Sequence, residues 1–211
     1  MTSSLADDGS VGDSTSASAW TLLFEDLLAG IIHAMNNAIT VLGVSIELGP
    51  AESAPGDNAV LRSELTKIQN MIELTSALSV RSRRTEALDL RAVLDLALTV
   101  HALNPATRSV ACSVNTTGVI PPVRVPRSVL LRVLLLLIDA AKRENDGEPT
   151  GVTIDLFGDA TRVVVQTQCG EKLGNDTHGF AEACGGTLTL SDGHAVFELP
   201  SLERLRRPSP A

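Results

Sequence analysis

The chain has 211 residues, 44% of them hydrophobic, and a formal net charge of −8. That is enough for one large domain or two small ones with real cores. It weighs against general nucleic-acid binding, which needs a basic face to neutralise phosphates. The three cysteines, Cys112, Cys169 and Cys184, are odd in number and widely spaced, with no CxxC or ligand-spaced Cys/His pair. No zinc or other metal site is expected, and free thiols suit a reducing cytoplasm.

Residues 1–17 are rich in Ser, Asp, Gly and Thr and are expected to be disordered. With Asp7, Asp8 and Asp13 and no basic segment, they do not read as a signal peptide. Trp20 to Leu48 reads as an amphipathic helix. Phe24, Leu28, Ile31, Met35, Leu42 and Ile46 recur at helical spacing, and Leu27, Ile39 and Val44 widen that face. His33 falls in a polar stripe with Asp26, Gly30, Asn37, Thr40 and Glu47, so an imidazole is offered to solvent from a rigid rod. Taken alone, such a histidine is ordinarily a surface residue, and the same holds for Asn37 and Thr40.

Gly49-Pro50 stops this helix. A linker, Ala51 to Gly56, leads to a second helix capped by Asp57 or Asn58. Its apolar residues Leu61, Leu65, Ile68, Ile72 and Thr75 form a coiled-coil-like seam, and it fades after Leu78. Such a hairpin has one apolar stripe too many to stand alone, which predicts a homodimer closed as a four-helix bundle. The alternative is that it packs only on its own C-terminal half. The basic run Arg81-Ser82-Arg83-Arg84 reads as a solvated helix end.

The second half changes period. Leu88 to Leu103 reads as helix, broken at Asn104-Pro105, and Ser109 to Asn115 alternates as a strand. Gly118 to Pro126 reads as a proline-rich loop, and Arg127 to Arg143 as a buried helix. Gly151 to Phe157 and Arg162 to Gln168 form a hairpin. A short helix, Thr177 to Ala183, ends at Gly185-Gly186, before a last hairpin of Thr187 to Leu190 and His194 to Leu199 across Asp192-Gly193. The fold class is therefore α+β: a helical hairpin over residues 18–84, a two-layer α/β sandwich with helices on one sheet face over 85–203, and a flexible tail, 204–211. The longest uninterrupted apolar run, Val133 to Ile138, is too short to span a bilayer, and a cytoplasmic location is expected. His101 lies near a helix C-terminus, where a cation is favoured; His178 and His194 suggest no role.

A helical hairpin with a central histidine, followed by this α/β order, resembles the bacterial sensor histidine kinases over roughly residues 18–200. The family's histidine motif is matched at His33, Asn36, Asn37, Ile39 and Thr40. Ala34 and Ala38 depart from it, and Ala34 stands where the family has the acidic neighbour that acts as base during attack on ATP. In the ATP-binding half, Leu137-Ile138-Asp139-Ala140-Ala141 stands at the asparagine box, with Asp139 in place of the asparagine that holds the nucleotide's magnesium. Asp139 can equally be a buried, hydrogen-bonded residue. Gln168-Cys169-Gly170-Glu171-Lys172 keeps one glycine of the next box. The lid is essentially missing, and Gly185-Gly186 matches the helix-to-strand turn.

A kinase-like chain that keeps its histidine and loses its nucleotide site resembles the dimeric histidine phosphotransferases of phosphorelays. The resemblance implies His33 as the phosphorylated residue, with Asn36, Asn37 and Thr40 at the rim where a receiver domain docks. The chain needs no cofactor of its own, because the receiver brings the aspartyl phosphate and Mg2+. The implied partners are response-regulator receivers, and an upstream hybrid histidine kinase. Two other readings stay open: a non-catalytic dimeric pseudokinase that binds a receiver or kinase, and a receiver phosphatase in which Asn37 orients the hydrolytic water.

Overall fold

The computed structural model describes residues 18–47, 57–79, 84–144, 151–160, 162–169 and 173–206. Two long helices, α1 (Ala19–Glu47) and α2 (Asp57–Ser79), precede a mixed domain. Its elements are β1 (Thr85–Leu88), α3 (Leu90–His101), β2 (Cys112–Thr117), β3 (Val123–Pro126), α4 (Arg127–Glu144), β4 (Val152–Gly158), β5 (Arg162–Gln168), α5 (Asn175–Ala183), β6 (Thr187–Ser191), β7 (His194–Pro200) and α6 (Leu202–Arg206). The helix linker, the side chains of Asp57 and Asn58, residues 81–83 of the basic run, and Gly170 to Lys172 lie outside the described residues.

The main sheet has five strands in the order β2-β4-β5-β7-β6, with β2 parallel to β4 and the rest antiparallel. Alternation decides its faces. Val152, Ile154 and Leu156 of β4, Val163 and Val165 of β5, and Ala195, Phe197 and Leu199 of β7 point into the core. They meet the apolar length of α4 there, in one cluster that also takes in α3 and α5. Asp192 and Gly193 both have positive φ, the geometry of a tight turn between antiparallel strands. After α5 the chain turns through Gly185, whose φ is +70°. A Cβ on Gly186 would lie 2.7 Å from both the Glu198 carbonyl oxygen and the Phe197 ring.

Two strands are absent from the sequence reading. β1 pairs antiparallel with β3 in a separate two-stranded sheet, and β3 lies inside the stretch read as a proline-rich loop. Val123 and Val125 are buried with Arg124 exposed between them, a period-two signal masked by Pro121, Pro122 and Pro126. At the C-terminus, α6 runs to Arg206, into the stretch read as tail.

The helical hairpin buries less of its apolar surface than its pattern suggests. Ser18 caps α1, its hydroxyl accepting from Thr21 N–H at 3.2 Å. The N-terminal half of α1 lies on α4 and α5. Leu23, Leu27 and Ile31 are buried, Trp20 meets Phe180 edge-on, and the Arg132 guanidinium sits 5.0 Å from the Trp20 ring centre. Beyond Ala38 the cover ends. Ile39, Val44 and Ile46, read as core-facing, are exposed, and so is Ile32; on α2 the seam residues Leu65 and Ile72 are exposed while Leu74 and Leu78 are buried. The domain covers one side of the stripe and leaves the other bare. α1 and α2 pack along each other as a hairpin, and both also touch α4.

α1 is long and apolar enough, by length and composition, to cross a membrane, with mean hydropathy 1.6 over its best window. It holds no long uninterrupted apolar run, because His33, Asn36 and Asn37 break the run without lowering the average enough. Core helices of soluble proteins satisfy the same measure, and here the N-terminal half of α1 is packed on α4 and α5.

Candidate functional site

His33 sits near the middle of α1 with its side chain exposed. One turn on, the Asn37 amide nitrogen lies 3.2 Å from His33 Nε2. With the amide nitrogen as donor, Nε2 is the acceptor of this bond, which fits the tautomer that carries its proton on Nδ1. The bond must open before Nε2 can act as a nucleophile. Asn36 and Thr40 are exposed beside it, and the Thr40 hydroxyl donates to the Asn36 carbonyl oxygen at 2.8 Å. All four residues share one exposed face of α1. Among them the direct side-chain contact is His33 with Asn37. Ala34 leaves no carboxylate next to the imidazole.

A second feature is a polar network that spacing along the chain does not reveal. Asp139, buried on α4, accepts at Oδ1 from His101 Nε2 and Asn104 Nδ2, each at 3.2 Å, and at Oδ2 from Arg143 Nε at 2.7 Å. Arg143 also donates to Asp26 Oδ2 on α1 at 2.9 Å. Burial alone would raise the Asp139 carboxyl; the hydrogen bonds and charges of His101 and Arg143 outweigh it and hold the group below the usual carboxylate range. His101, read from sequence as a helix-end cation, is fully buried and tied to this carboxylate. Of the two readings of Asp139, the buried, hydrogen-bonded one describes its surroundings.

A cleft of about 460 Å³ opens beside Asp139, between the N-terminal half of α1, the end of α4 and the start of α5. Glu25 and Asp26 of α1 line it with Asp139, Arg143 and Gly174. The chain's own helix thus walls the cleft with two further carboxylates. No group of three or more His, Cys, Asp or Glu side chains able to hold a metal ion occurs among the described residues. Burial pushes the Cys184 thiol up to about 12 and, together with the charge of Glu144, Cys169 up to about 11, so both stay protonated near neutral pH.

The sequence matches no protein-family model and no curated protein. Among solved structures it is similar to the histidine kinase ThkA, determined in complex with the response regulator protein TrrA, at 16% identity and a TM-score of 0.48 over 89% of this chain. The match spans 64% of that kinase's length. It is also similar to the Acinetobacter baumannii histidine kinase AdeS, at 18% identity and a TM-score of 0.44, over 80% of this chain and 96% of that one. A structure described as a bacterial phosphotransferase aligns at 15% identity and a TM-score of 0.38, over 87% of this chain and 97% of that one.

Proposed function

We propose that this chain is a His–Asp phosphotransferase. It accepts a phosphoryl group on His33 from the aspartyl phosphate of one receiver domain and passes it to the aspartate of another, without autophosphorylation by ATP. The observation that carries this reading is the exposed His33 in mid-helix, with the Asn37 amide one turn on within hydrogen-bond reach of Nε2. In the forward step Nε2 attacks phosphorus in line. The N–P bond forms, the bond from phosphorus to the aspartyl oxygen breaks, and the carboxylate leaves with that electron pair. The ring keeps its Nδ1 proton through the transfer, and the phosphohistidine releases it to water afterwards. Asn37 turns from the ring nitrogen to a phosphoryl oxygen. The receiver supplies Mg2+; this chain supplies position.

The nucleotide side supports the same reading. The carboxylate oxygens of Asp139 are engaged by His101, Asn104 and Arg143, and among the described residues that line the adjoining cleft Glu25 and Asp26 stand with Asp139 against one cation, Arg143. These carboxylates oppose a triphosphate there.

The exposed row Ile32, Ile39 and Ile46 on α1, with Leu65 and Ile72 on α2, supports a homodimer in which a second hairpin covers these residues and closes a four-helix bundle. We place the protein in the cytoplasm, where receivers are found.

The test has two arms. Labelled ATP with Mg2+ should leave the protein unlabelled, and a phosphorylated receiver should label it. Labelling by ATP would make it a kinase. A receiver whose label vanishes as inorganic phosphate, through Asn37 and without need of His33, would make it a phosphatase. Receiver binding without transfer would make it a scaffold.

A further inference from the structure

The mixed domain approaches α1 beside His33. Gly30 lies one turn before the histidine, and a Cβ built on it would sit 1.8 Å from the Leu103 carbonyl oxygen and 2.8 Å from its carbon. Only a glycine admits backbone that close. Leu103 belongs to the loop between α3 and β2, residues 102–111, so this loop flanks the phosphotransfer face.

The loop is anchored from beneath. Ala102, Leu103 and Asn104 donate their backbone N–H groups to Leu98, Val100 and His101. Buried Asn104 donates to Asp139, and its Oδ1 accepts from the Ala106 N–H at 2.9 Å. Thr107 and Val110 are buried, and the Val110 N–H closes on the Thr107 carbonyl at 3.2 Å. On this base Pro105, Ala106, Arg108 and Ser109 face solvent. Arg108 is the one charged residue between 102 and 111, on a chain of net charge −8.

We propose that this loop is a second docking element for the phosphorylated receiver, with Arg108 as its charged contact. The inference rests on the phosphotransferase reading of His33. A receiver must bring its phosphorus to about 3–3.5 Å from Nε2. A specific interface covers roughly 800 Å² per partner, a patch of about 16 Å radius. Neighbours one helical turn apart are about 5–6 Å apart. A footprint centred on His33 therefore reaches past Gly30 onto the loop. The receiver's phosphoaspartate site is anionic, and Arg108 offers the opposite charge towards the edge of that footprint, on a loop whose base is buried and hydrogen-bonded.

The experiment measures initial rates of phosphoryl transfer from purified phosphorylated receiver domains, against receiver concentration, for wild type, Arg108→Glu and Ala106→Trp. Ala106→Trp tests the surface by bulk instead of charge, and thermal melts check that both variants fold. The expected result is a KM raised about tenfold for each variant, through a lost interfacial charge in Arg108→Glu and through a steric clash in Ala106→Trp, with a far smaller change in the saturated rate. For Arg108→Glu the effect should shrink with added salt. Wild-type KM in both variants, with wild type transferring normally, overturns the loop's role and leaves the reading of His33 intact. If no receiver transfers to wild type, the reading of His33 falls and this inference with it.

Discussion

Arg143 is held between two carboxylates, Asp139 one turn back on its own helix at 2.7 Å and Asp26 on α1 at 2.9 Å. The two contacts differ in weight. The Asp26 side chain is 40% exposed and that of Arg143 48%, so their pair resembles a surface ion pair. Asp139 has 12% side-chain exposure and also holds His101 and Asn104. Removing its carboxylate strands two buried donors, whereas removing Asp26 strands a partly solvated one.

Asp139→Ala should therefore cost about 2–3 kcal/mol of unfolding free energy, the range for leaving buried polar groups unpaired. Asp26→Ala should cost no more than about 1 kcal/mol. Urea denaturation of the two variants checks the ratio; equal losses would contradict the assignment of weight.

The same carboxylate gives a pH dependence. Its folded pKa lies below the ordinary value, so the unfolded state binds the proton more readily. The contribution is fully present above the unfolded pKa of about 4 and is lost as pH falls through the lower folded value. The stability difference between wild type and Asp139→Asn should be constant from pH 7 to about 5 and narrow as pH drops below 4. A difference that widens on acidification would contradict the network's polarity.

Gly30 is where α1 admits the backbone of the loop after α3. The atom met by an added Cβ is a backbone oxygen, which cannot swing aside as a side-chain tip can. Gly30→Ala should cost about 1–3 kcal/mol, as for overpacking, despite alanine's better helix propensity. Gly43, with nothing within 4 Å of its added Cβ, is the control, and Gly43→Ala should stabilise. Thermal melts of the two read out opposite signs.

The bare stripe on the hairpin predicts assembly. Ile39 and Ile72 are each 53% exposed. Ile39→Glu or Ile72→Glu should convert a dimer to a monomer in light scattering coupled to size exclusion while leaving the mixed domain folded. A wild-type protein that is already monomeric at micromolar concentration would contradict the bundle.

The elements that repeat a single period were legible. α1, α4 and both late hairpins follow from apolar spacing and from Asp192-Gly193, because local pattern and tertiary packing agree there. β1 and β3 were not, since each is four residues long and prolines flank β3. The polar stripe holding His33, Asn36, Asn37 and Thr40 could be read from helical phase. The network could not: Asp26 and Arg143 are 117 residues apart, and His101 and Asp139 are 38 apart. Gly30 read as one more small residue in a stripe, and only the fold shows what it lets in.

The central claim is that His33 carries the phosphoryl group. The most direct measurement is transfer from a phosphorylated receiver to wild type and to His33→Ala in parallel, with the modified residue mapped by mass spectrometry under conditions that preserve acid-labile phosphohistidine. The account predicts phosphate on His33 in wild type and none on the variant. Phosphate on another residue, or equal labelling of His33→Ala, would contradict it.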